Sequence, residues 1–187
     1  MIVIPDVFRN YNCLGIDPGL GACGFSAFGV EEFRVAWINA FTVFSEKVAM
    51  DSELDEEVHS DRAIRLDRLR QAYLQILHVF NPIAVTCEAP FFNRRFPGAY
   101  GPLVEVVSML RQATYEFNSN IPFIVYAPMT VKQSFKTTKD TSKEAMLQAL
   151  SQNYPQIVSK LVVPLELMDQ HAIDATAVCY TLLSKYF

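Results

Sequence analysis

The sequence contains no apolar run long enough to cross a bilayer. Residues 1–12 lack the basic start and long apolar stretch of a secretory leader, so the expected compartment is cytoplasmic. No C-x-x-C pair occurs among the four cysteines, Cys13, Cys23, Cys87 and Cys179. Each stands in an apolar run and reads as a small buried hydrophobe rather than part of a disulfide frame or a zinc site, which fits a reducing compartment. Internal repeats and low-complexity tracts are absent, as is an excess of positive charge: the net charge is −4. Taken alone, that balance argues against a nucleic-acid binder.

The charge is unevenly spread. Residues 1–88 carry seven Lys/Arg against thirteen Asp/Glu, whereas residues 89–143 carry seven against three. The middle segment can present a phosphate-facing surface or a solvated mixed-charge face, and counting does not choose between them. A chain of 187 residues with 51% hydrophobic and 19% charged content suffices for one domain with a sizeable core. We expect that domain to occupy residues 1–187, with 1–11 as an N-terminal extension.

Periodicity gives the order of elements. Residues 12–17 read as a strand stopped by Asp17-Pro18-Gly19. Residues 23–30 and 33–44 have strand composition, with a turn expected at Gly29-Val30-Glu31-Glu32. Ile64, Leu69, Tyr73, Ile76, Leu77 and Phe80 recur at helical spacing and predict a helix over 58–80, ended by Asn81-Pro82. Residues 83–87 form a short buried strand that runs into Glu88. The aromatic, basic stretch 91–101 is a loop. Leu103, Val107, Leu110, Thr114 and Phe117 mark a helix over 102–118. A strand at 122–126, a helical turn at 130–135 and helices at 142–153 and 169–186 complete a β-β-β-α-β-α-β-α-α order. Parallel strands need helical crossovers, so this order predicts an α/β fold with a mixed sheet and packed helices.

Four ionisable residues stand out by position. Asp17 and Glu88 each close a strand. His171 and Asp174 lie three apart at the start of the last helix, hence on one face. Each has an ordinary reading: Asp17 as a turn residue, Glu88 as strand-end solvation, His171 as a surface or core histidine, and Asp169 or Asp174 as a charge favoured at a helix N-terminus. Together they point to a cation. Clustered carboxylates repel one another unless a divalent ion sits among them, and hard oxygen donors suit Mg²⁺.

The residues around these positions resemble a known family. Leu14-Gly15-Ile16-Asp17-Pro18-Gly19, with Gly24 following, is similar to the first-strand signature of RuvC resolvases. Cys87-Glu88-Ala89-Pro90-Phe91 resembles the segment that holds the second acid. Ala127-Pro128 through Val131-Lys132, then Lys143, resembles the two-lysine stretch, and His171-Ala172-Ile173-Asp174-Ala175 the C-terminal helix motif. The resemblance spans roughly residues 12–185 with the motifs in family order.

It implies an RNase H-like fold, a mixed five-stranded sheet with helices on both faces. It also implies a homodimeric endonuclease that resolves four-way (Holliday) DNA junctions, or related branched DNA, by paired symmetric cuts. Asp17, Glu88, His171 and Asp174 would bind two Mg²⁺ or Mn²⁺ ions, and Lys132 and Lys143 would lie near the scissile phosphate. Further DNA contacts are expected from Phe91, Phe92, Arg94 and Arg95, and from Lys136 and Lys139, with Phe91 helping to open the junction centre. The helix over 102–118 would contribute to the dimer interface.

Two departures stand out. A histidine occupies position 171, where some family members carry Asp and others His; its softer nitrogen also suits Mn²⁺. Phe135 through Ser142 replaces the usual Gly-rich basic stretch, which leaves junction-sequence preference open and allows a phage-type member of broader range. The alternatives are an RNase H-like nuclease for other branched DNA or RNA–DNA hybrids, and an inactive junction-binding protein on the same fold. An ATP-binding relative of the actin-like type lacks a second phosphate loop here.

Overall fold

A computed structural model describes residues 10–48, 57–92, 94–134, 148, 150–152 and 154–186. Five strands form one sheet: β1 (Asn10–Asp17), β2 (Ala22–Glu31), β3 (Arg34–Phe44), β4 (Ala84–Glu88) and β5 (Phe123–Tyr126). Their order is β3-β2-β1-β4-β5. β1 is antiparallel to β2 and parallel to β4, and β4 is parallel to β5. The two parallel steps use helical crossovers, α1 (Asp61–Phe80) before β4 and α2 (Tyr100–Phe117) before β5. Two short helices follow, α3 (Pro128–Ser134) and α4 (Pro155–Val158), and then the long α5 (Gln170–Tyr186).

Apolar side chains fill both faces of the sheet, as the expected architecture requires. On one face Leu14, Ile16, Phe25 and Val85 pack with Leu69, Tyr73 and Leu77 of α1 and Val106 and Leu110 of α2. Phe25 stacks on Tyr73 with ring centroids 5.8 Å apart. The buried Tyr73 hydroxyl shares a 2.7 Å hydrogen bond with Thr114 Oγ1, so neither hydroxyl is left without a partner where α1 meets α2. On the other face Cys13, Phe28 and Ile38 pack with Ile173, Ala177, Val178 and Leu182 of α5. The four cysteines are buried and unbridged. Burial pushes the Cys13 thiol up to about 12, which leaves it protonated and inert.

The expected elements shift at their ends. β1 begins at Asn10, inside the expected extension of residues 1–11, because Asn10 and Tyr11 pair with Glu31 and Val30 of β2. Tyr11 is buried; the polar run Asn10-Tyr11-Asn12 hid this alternation. α1 begins at Asp61 rather than 58: Ser60 caps it by accepting a hydrogen bond from the Ala63 N–H, and Asn81 ends it in the left-handed region. The β2–β3 turn is Glu32-Phe33, both at positive φ, as a two-residue hairpin of this twist demands. Gly29 and Val30 stay in the ladder, where the register shifts. α2 starts at Tyr100, since Pro102 is compatible with a first helical turn. Most of the helix expected over 142–153 lies outside the described residues.

One contact fixes where α5 sits. A side chain at Gly15 would come within 2.5 Å of the Ala175 carbonyl oxygen and Cys179 Cβ, and one at Gly24 would strike the His171 backbone. These two glycines let the helix lie against the sheet at the height of its own first turns. His171 and Asp174 are thereby brought to the end of β1.

Candidate active site

Asp17 and Glu88 are neighbours by register. Ile16 pairs with Cys87 across the parallel β1–β4 ladder, so Asp17 and Glu88 are the last residues of adjacent strands, at the carboxyl end of the sheet. That edge is where an open α/β sheet presents groups to a ligand. α5 crosses the same edge and supplies His171 and Asp174, while α3, immediately after β5, supplies Lys132. These five residues line one cleft of about 580 Å³ with Phe91, Met129 and Val131.

The charges in the cleft are coupled. His171 Nδ1 lies 2.7 Å from Asp17 Oδ2, and this contact raises the imidazole pKa. Burial, and then the charges of Asp17 and Asp174, push Glu88 up to about 7. Burial also lifts Asp174 to about 6, with Asp17 adding to the shift and Gln170 opposing it. Lys132 lowers both carboxyl groups. Carboxylates held together at this expense mark a place where positive charge is wanted.

Three carboxylates and one imidazole are a suitable donor set for Mg²⁺ or Mn²⁺. Among the described residues no three His, Cys, Asp or Glu side chains stand around a common point as a formed ion site. The donors share a cleft without being drawn inward, and His171 bonds to Asp17 instead. The set therefore fits a divalent cation in its chemistry, and one cleft collects it.

The other expected contacts divide. Phe91 lines the cleft and is 51% exposed. Phe92, 59% exposed, packs edge-on against Tyr100, and Arg94 and Arg95 are exposed in the same loop. None of these three lines the cleft itself. Lys136, Lys139 and Lys143 lie outside the described residues.

Sequence reasoning named Asp169 only as a charge favoured at a helix start, and missed Gln170 and Met129. Asp169 caps α5: its Oδ1 accepts from the Ala172 N–H at 2.9 Å and from Thr42 Oγ1 of β3 at 2.5 Å. Gln170 Nε2 donates to Asp174 Oδ2 at 2.8 Å. Met129, 65% exposed, stands on the cleft wall beside Lys132. An Asp three residues before the end of a helix's first turn is a legible capping signal; the other two carry no distinctive spacing.

No protein-family model matches the chain. The chain is 24% identical over 174 residues to the crossover junction endodeoxyribonuclease RuvC of Cytophaga hutchinsonii, covering 89% of this chain and 74% of that protein. It is 29% identical over 130 residues to the RuvC of Thermus thermophilus, covering 70% and 72%. The solved Thermus thermophilus RuvC structure superposes with a TM-score of 0.66 at 23% identity, over 94% of this chain and 95% of that one. The same protein in complex with a Holliday junction substrate gives 0.64 at 22% identity, over 94% and 95%. The yeast mitochondrial Holliday junction resolvase Ydc2 gives 0.61 at 13% identity, over 94% and 80%. In sequence and in fold, this chain is RuvC-like.

Proposed function

We propose that the protein is a metal-dependent DNA endonuclease that resolves four-way junctions by paired symmetric cuts, with the 187-residue chain acting as one nuclease unit. The observation that carries this reading is the convergence of Asp17, Glu88, His171 and Asp174 on one cleft from two strands and a helix. The RuvC relatives, and the Thermus thermophilus RuvC complex with a Holliday junction, support the substrate class.

Two Mg²⁺ or Mn²⁺ ions would supply an activated water and charge stabilisation at the leaving oxygen. Asp17, on the central strand, would hold both ions. Glu88 would hold the ion that steadies the leaving oxygen, and His171 with Asp174 the ion that activates the attacking water. The Lys132 ammonium faces the same cleft and stabilises the phosphate charge, and Lys143 is assigned the same task. Phe91, beside the acids and half exposed, stacks on a base freed at the junction centre. Phe92, Arg94, Arg95, Lys136 and Lys139 hold the flanking strands. A homodimer places two such clefts about a two-fold axis, which paired cuts on opposed strands require.

The test is incubation of a fixed four-way junction, a plain duplex and an RNA–DNA hybrid with Mg²⁺ or Mn²⁺. The junction is cut and the other two are spared. Asp17→Asn abolishes cutting and keeps junction binding in a gel-shift assay. Wild-type cutting rates in that variant would remove the assignment.

A further inference from the structure

The first turn of α5 holds Asp174 from one side. Asp169 fixes where the helix begins, through the Ala172 N–H and Thr42 Oγ1 of β3. Gln170 is the next residue and lies four before Asp174, so the two side chains share a helical face. Its amide Nε2 donates to Asp174 Oδ2 at 2.8 Å. Gln170 does not line the cleft, whereas Asp174 does. The amide thus donates to the carboxylate from a residue outside the cleft lining. A carboxylate held in this way keeps its rotamer and retains lone pairs for a cation. The charge of Lys132 acts on the same carboxylate.

We infer that Gln170 is a positioning residue for the cation site, fixing the rotamer from which Asp174 binds; the inference rests on the metal-dependent reading above. Such outer partners of a ligand are worth about 10–100-fold in metal affinity or activity when removed. The contact is a neutral amide on a carboxylate one helical turn away, so its loss costs the fold little.

The experiment is calorimetric titration of Mn²⁺ into the metal-free full-length protein, with thermal melting in chelator alongside. Gln170→Ala is expected to weaken Mn²⁺ binding about 10-fold with an unchanged metal-free melting temperature. In junction cleavage, the Mn²⁺ concentration for half-maximal rate rises while the rate at saturating Mn²⁺ is largely restored. Unchanged Mn²⁺ affinity overturns the inference. So does a parallel fall in affinity and metal-free melting temperature, which marks a structural role only. Asp174→Asn serves as the reference: if it too leaves Mn²⁺ binding intact, the metal-centre reading itself fails, whereas loss in Asp174→Asn with none in Gln170→Ala removes only the role of Gln170.

Discussion

Glu88 carries an electrostatic load that can be measured apart from cleavage. Burial and the neighbouring acids raise its carboxyl from an ordinary 4.5 to about 7. A raised carboxyl binds its proton more tightly in the folded protein than in the unfolded chain. Its stabilising contribution is therefore complete below about pH 4.5 and is lost as pH rises to about 7. Asp174 adds the same sign of dependence up to about 6. Glu88→Gln keeps the shape and removes the charge. In chelator, its melting temperature should exceed that of the parent by a margin that widens between pH 5 and pH 7.5. An equal margin at both values would show that Glu88 bears no such load. The four cleft residues were legible in the sequence because strand ends and an i, i+3 helical pair are positional signals. Gln170 was not, since its contact depends on a side-chain rotamer that spacing does not specify.

At the scale of elements, the placement of α5 against the sheet decides whether the cleft exists. Gly15 admits the helix, and a methyl group there would meet the Ala175 carbonyl oxygen and Cys179 Cβ at 2.5 Å. Gly15→Ala should cost about 1–3 kcal/mol in chemical denaturation, the usual range for overpacking. Gly21→Ala, with nothing within 4 Å of the added carbon, should stay within about 0.5 kcal/mol. Equal effects at the two positions would remove the close-packing account. The strand and helix order followed from periodicity, but several ends did not. The start of α1 is set by the Ser60 cap rather than by its apolar stripe. In α2 the expected stripe of Leu103, Val107, Leu110, Thr114 and Phe117 omitted Val106 and Ala113, which are fully buried. A helix wedged between a sheet and α1 buries a wider face than one row of side chains reveals.

For the whole molecule, the acidic overall balance and the DNA-cutting proposal are reconciled by geography. Among the described residues, only three of the chain's twenty Asp/Glu, Asp17, Glu88 and Asp174, line the cleft, while Lys132 lies on it and Arg94 and Arg95 in the adjoining loop. Symmetric cutting needs two clefts. The outward side of α2 presents Arg111, Gln112 and the half-exposed Tyr115, on the helix that the family resemblance assigns to the dimer interface. Sedimentation at micromolar concentration should give a dimer, and monomers alone would argue against paired cuts. The account depends most on the gathering of Asp17, Glu88, His171 and Asp174 around positive charge. Anomalous diffraction from crystals soaked in Mn²⁺ tests it directly. The account predicts manganese peaks in the cleft, within coordinating distance of these four side chains and lost in Asp17→Asn; peaks confined to other surfaces would contradict it.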